Sequence, residues 1–133
     1  MAEIFHPTLD GNKIKTISTL GLAHIGDGVY ELLVRTMLVS DGSATSASLH
    51  KSTVAWVSAT AQAEAAEKIM PRLSEEEIAV YKRGRNAKVG TVPHNTPRAV
   101  YMKATGLETL FGWLYLKGEN DRITELFAII TEE

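Results

Sequence analysis

Apolar residues recur along this chain at spacings of three and four, the interval that lines one face of an α-helix. Ser18 is placed to cap a helix reaching about Val39, with Leu22, Ile25, Val29, Leu32 and Leu33 among its apolar positions. The stretch SDGSATS, Ser40 to Ser46, breaks it. The spacing predicts a long alanine-rich helix next, from about Ser48 to Met70, with Leu49, Val54, Val57, Ala61 and Ile69 apolar and Pro71 ending it. Ser74 followed by Glu77 three positions later is a capping box, opening a helix to about Asn86. KVGTVPHNTP, Lys88 to Pro97, has two prolines and a glycine and is expected to be a loop. Thr96 or Pro97 then starts a helix to about Lys117, and Asn120 caps a last one carrying Ile123, Leu126, Phe127 and Ile130. No run alternates as a strand does. The predicted fold is all-α, a single domain over residues 1–133.

Composition adds bounds rather than detail. An apolar fraction of 44% and a charged fraction of 23% are ordinary for a globular protein. With no cysteine, disulfides and thiolate metal sites are excluded, and a reducing cytosol fits. The start, MAEIFHPTLDGNKIK, lacks the apolar core of a signal peptide, and no apolar run approaches roughly 18 residues. A cytoplasmic protein with no membrane partner is expected. The net charge of −2 argues against indiscriminate nucleic-acid binding, but its distribution is uneven. Between Ile78 and Leu107 there is no acidic residue, while Lys82, Arg83, Arg85, Lys88, Arg98 and Lys103 are all basic. A polyanionic partner docking there explains that segment, and so does a loop charged for solubility.

Two carboxylates stand where the hydrophobic pattern has no place for them. In LAHIGDGVYE, Leu22 to Glu31, Asp27 lies between two glycines on a helix that is apolar nearly all round. In TGLETLFGWLYL, Thr105 to Leu116, Glu108 is the one charge between Lys103 and Lys117. Both are expected to be buried, and a buried carboxylate needs compensation. Each could pair with an arginine. Alternatively they face each other and share a hard divalent cation, which takes oxygen ligands. Gly26, Gly28, Gly106 and Gly112 would let the two helices approach or a ligand reach the carboxylates.

HIGDGVYE resembles the signature helix of the ribonuclease III family, and TGLETLFGWLYL resembles that family's second metal-binding helix. LHKSTVAWVSATAQA and YKRGRNAKVGTVPHN are similar to the mini-ribonuclease III subfamily. No double-stranded-RNA-binding domain is expected after residue 133, which narrows the resemblance in the same direction; the resemblance covers about residues 12 to 118. Larger ribonuclease III enzymes have two further carboxylates, at positions occupied here by Ala23 and Thr105, and the subfamily lacks the same pair.

The resemblance implies an all-α endonuclease domain that works as a homodimer and hydrolyses double-stranded RNA to 5′-phosphate and 3′-hydroxyl ends. It implies Asp27 and Glu108 as catalytic residues and ligands of Mg²⁺, with a metal-activated water attacking in line. The resemblance to the subfamily also implies a role in trimming precursor large-subunit (23S) ribosomal RNA. Lys82, Arg83, Arg85, Asn86, Lys88, His94 and Asn95 are the candidate RNA contacts, since duplex RNA is held mostly through phosphates and 2′-hydroxyls. A second subunit is expected to cover the signature helix around Ala23, Tyr30 and Val34. Glu31 could assist the metal or pair with Arg35 one turn on. His24 is expected at a packed or interface position, Trp56, Trp113 and Tyr115 in core or interface, and His50 and Lys51 at a solvated helix start. A catalytically silent RNA-binding dimer with the same fold is the competing reading.

Overall fold

The computed structural model describes residues 3–42, 45–88 and 90–132. Ser43 and Ala44 of the predicted SDGSATS break and Val89 of the predicted loop lie outside them. Seven α-helices follow in order among the described residues: α1 Gly11–Lys15, α2 Thr19–Ser40, α3 Ser46–Val57, α4 Ala59–Ile69, α5 Glu75–Arg85, α6 Arg98–Leu116 and α7 Asn120–Thr131. No strand occurs among the described residues.

The end signals act largely as predicted. Ser18 caps α2 through the Gly21 amide, and Ser74 and Glu77 exchange both hydrogen bonds of the capping box on α5. Two differences are instructive. The expected single helix from Ser48 to Met70 is two helices, because Ser58 takes an extended ψ of 155° and caps α4 instead of continuing α3. Its hydroxyl accepts from the Ala61 amide at 3.2 Å, offering that amide an alternative to the helical carbonyl. The short α1 was not foreseen; Asp10 caps it through Lys13, and Ile14 anchors it in the core.

α6 is the central helix, packed against α2, α4, α5 and α7. That is why its middle is apolar on every side: Leu107, Leu110, Phe111 and Leu114 are all buried. Each such side chain contributes roughly 1.5–3 kcal/mol on burial. From α2 come Leu22, Tyr30 and Val34, with Tyr30 edge-on to Phe111 at 5.5 Å and to Phe127 at 5.9 Å. Ala23, Tyr30 and Val34, expected to wait for a second subunit, are therefore buried in this chain's own core.

The apolar surface of α2 lies on another face. Ile25, Leu32 and Val39 recur every seven residues and are 37%, 57% and 62% exposed. Leu32 also borders a groove floored by Val29, Leu33 and Ile123 and walled by Phe5 of the N-terminal segment.

Candidate metal and RNA site

Where α2 crosses α6 the backbones touch through glycine. A Cβ on Gly26 would lie 1.6 Å from the Glu108 carbonyl oxygen, and one on Gly112 would lie 1.9 Å from the Leu22 carbonyl oxygen. Of the four glycines expected to make room, these two form the crossing. Gly106 instead admits the Tyr81 ring of α5, and Gly28 faces open space. The crossing sets the site, because Asp27 and Glu108 are the immediate neighbours of its contact points.

The two carboxylates are brought together, as predicted, but their burial differs. Asp27 is exposed, which corrects the expectation that both are buried: the helix face it occupies is one this chain leaves uncovered. Glu108 is mostly enclosed between helices, and its carboxyl is pushed up to about 8. Burial is the largest cause; the charge of Asp27 and its hydrogen bonding to the protonated form add to it, and Gln62 opposes it. No arginine relieves either residue, since among the described residues neither carboxylate enters an ion pair. Glu77 shows what such relief looks like. It is buried against Arg122, with contacts of 2.8 and 2.9 Å, and that guanidinium holds its carboxyl below the usual range.

A pair of uncompensated carboxylates sharing one cleft suits a hard dication. The cation neutralises both, and water or phosphate oxygens complete its shell. No group of three or more histidine, aspartate or glutamate side chains able to hold a metal occurs among the described residues. Ala23 and Thr105 are buried and bring no charge. Glu31 is ion-paired with Arg35 at 3.0 Å on the exposed side of α2.

Gln62 is the site residue that the sequence reading missed. It lies on α4, 3% exposed, beside Glu108. Its signal was of the same kind as the others: an amide sharing a helical face with Ala65, Ala66 and Ile69, all buried.

The two candidate RNA-binding arginines of α5 do not share one flank of the helix. Lys82, Arg83, Asn86, Lys88, His94 and Asn95 are exposed and Arg85 is half-buried. Two residues apart on α5, Arg83 and Arg85 point to different flanks. Arg83 lines a cleft with Lys15, Lys117 and Trp113, whereas Arg85 lies over the Tyr81 ring at 5.9 Å. His24, His50 and Lys51 are exposed, while Trp56 and Tyr115 are half-buried against the core and Trp113 lies within it.

The raised Glu108 carboxyl has a consequence for stability. A carboxyl whose folded pKa lies above its unfolded value contributes fully below about pH 4.5 and loses that contribution as pH rises through about 8. Metal-free protein is therefore expected to melt at a higher temperature at pH 5.5 than at pH 8.5, by roughly 5 °C. Glu108→Gln should flatten that difference and raise the melting temperature at pH 8.5. Equal melting temperatures of wild type at the two pH values would contradict this.

The Ribonuclease III domain family matches residues 20–119, the interval from the first turn of α2 to just past α6 that holds both carboxylates. Mini-ribonuclease 3 from a Thermoanaerobacter species is 45% identical over 123 residues, spanning 90% of this chain and 87% of that protein. The protein of the same name from Clostridium tetani is 42% identical over 118 residues, spanning 88% of this chain and 78% of its own length. The crystal structure of protein FN1578 from Fusobacterium nucleatum is similar with a TM-score of 0.81 at 31% identity, covering 87% of this chain and 94% of that one. The chain belongs to the ribonuclease III family, in its mini-ribonuclease 3 branch, and is an endoribonuclease. No helix among the described residues is long and apolar enough to cross a membrane.

Proposed function

We propose that this chain is a Mg²⁺-dependent endoribonuclease of double-stranded RNA, acting in the cytoplasm as a homodimer, with precursor large-subunit ribosomal RNA as its substrate. The observation that carries the reading is the convergence of Asp27 and Glu108, neither of which has an ion-pair partner among the described residues. The named relatives support the RNA-cleaving part of it. A silent RNA-binding dimer would have no use for two carboxylates left at mutual cost.

Asp27 and Glu108 would hold the cation, one from each of the crossing helices. When bound, it supplies positive charge to the phosphate that water attacks in line. The crossing glycines fix the separation of the two carboxylates by locking backbone to backbone. Enclosure by α4 and α6 keeps bulk water from Glu108, strengthening its pull on a dication. Protons compete with the metal for Glu108, so affinity for Mg²⁺ falls as pH drops below about 8. The test is long duplex RNA incubated with Mg²⁺ or with chelator. Cleavage to 5′-phosphate ends only with the metal is expected; equal cleavage under chelation would overturn the proposal.

The homodimer reading rests on the exposed stripe Ile25, Leu32 and Val39 and the adjoining groove. Asp27 lies two residues and about 200° of helix from Ile25, so a second copy burying that stripe would leave the carboxylate site on the other side of α2. Leu32→Glu places a charge at its middle and is expected to give a monomer in sedimentation at micromolar concentration, where wild type sediments as a dimer. A monomeric wild type would contradict it.

Basic residues on both flanks of α5 are proposed to hold RNA phosphates, together with the loop around His94 and Asn95. Arg83→Ala and Arg85→Ala are each expected to weaken binding to duplexes of any sequence. Each should also flatten the salt dependence of log affinity by somewhat under about one unit. A salt titration in Ca²⁺ reads both. Because the two arginines lie on opposite flanks, an effect from one alone would assign the duplex to that flank. Unchanged slopes in both would move the RNA face off α5.

A further inference from the structure

Among the described residues two buried side-chain atoms lack a hydrogen-bond partner, the Tyr30 hydroxyl and Gln62 Oε1. Tyr30 has a packing reason to be there, since its ring is clasped by Phe111 and Phe127. Gln62 has none. Its neighbours along the buried face of α4 are alanine and isoleucine, and leucine or methionine there would fill the space without an unsatisfied acceptor. A buried amide with an idle oxygen calls for a use of its nitrogen.

That use is traceable through the backbone. In a continuous helix the Val57 carbonyl would accept from the Ala61 amide. The break at Ser58 redirects that amide to the Ser58 hydroxyl at 3.2 Å, freeing the Val57 carbonyl. Gln62 Nε2 takes the vacated acceptor at 3.0 Å. An amide nitrogen has two hydrogens. With one held by Val57, the other is left for a second acceptor, and Glu108, on the helix α6 that α4 packs against, is the carboxyl whose charged form Gln62 favours.

We propose that Gln62 is a positioning residue for Glu108. Its carboxamide is anchored on the Val57 carbonyl at the α3–α4 break and holds the carboxylate by its second N–H, directing it toward Asp27. The interruption that divides α3 from α4 thereby serves the site. This deepens the reading of Asp27 and Glu108 as the cation ligands and rests on it. Groups that orient metal ligands in this way typically change metal affinity by 10–100-fold when removed.

The test is Mn²⁺ binding to the protein without RNA, followed by the free-ion electron paramagnetic resonance signal. Wild type is expected to bind, and Asp27→Asn to lose that binding. Gln62→Met, close in size and without the donor, is expected to bind about tenfold or more weakly while its melting temperature is unchanged or higher. A purely structural glutamine would give the opposite: a lower melting temperature with the Mn²⁺ affinity of wild type. Wild-type affinity in folded Gln62→Met overturns the positioning role and leaves the cation site standing. Wild type that fails to bind, or Asp27→Asn that binds as well, overturns the cation site and the positioning role with it. Should Gln62→Met not fold, wild type decides the matter by nuclear magnetic resonance during a Mg²⁺ titration. The Gln62 side-chain amide is expected to shift with the midpoint of the Glu108 carboxyl, and an amide that stays still overturns the proposal.

Discussion

Asp27→Asn is expected to lower cleavage of duplex RNA by at least roughly a thousandfold while the protein stays folded. The substitution preserves size and removes the charge that a dication requires. The cation's stabilisation of transition-state charge is worth several kcal/mol, and each 1.36 kcal/mol is a factor of ten in rate. Folding should not suffer. Asp27 is exposed, makes no ion pair among the described residues, and raises the cost of ionising Glu108. Its removal relieves that repulsion, so the metal-free variant is expected to melt no lower than wild type at pH 8. A folded Asp27→Asn protein that cuts duplex RNA near the wild-type rate would take Asp27 out of the site.

Gly26→Ala should do comparable damage without touching a single functional group. The added methyl meets the Glu108 carbonyl oxygen at 1.6 Å, and that atom belongs to a helix backbone that cannot rotate aside. The helices must separate or the variant must unfold. Overpacking of this kind destabilises by about 3 kcal/mol or more, outweighing the gain in helix propensity of at most about 1 kcal/mol. The separation also pulls Asp27 away from Glu108. Cleavage is therefore expected to fall in the folded fraction as well as in total, which single-turnover rates and urea melts distinguish. Wild-type stability in Gly26→Ala would mean that the helices do not cross this closely.

Much of this arrangement is written in the sequence. Capping signals at Ser18 and at Ser74 with Glu77 place two helix starts correctly, because a cap is a local interaction that needs no tertiary context. Asp27 and Glu108 stood out for a similar reason: a charge on an apolar helix contradicts its surroundings whatever the fold. What local pattern could not supply was which side of a helix meets which neighbour. α2 is apolar on two faces, and the sequence does not say which one the chain covers itself. Tyr30 and Val34 proved internal, whereas Ile25 and Leu32 are outside on one flank of that face and Asp27 is exposed on the other. The break at Ser58 was hidden by the surrounding alanines, whose helix propensity argues for continuity. Gln62 was hidden with it, since its anchor exists only because the helix is broken there.

The proposed chemistry requires a divalent cation between Asp27 of α2 and Glu108 of α6. Crystals grown with Mn²⁺ and measured for its anomalous scattering test this directly. The expected result is an anomalous peak within coordination distance of oxygens from both carboxylates, about 2.1–2.3 Å away, and absent in Asp27→Asn crystals. Cleavage that depends on Mn²⁺, together with a peak elsewhere in the chain and none between these two side chains, would contradict it.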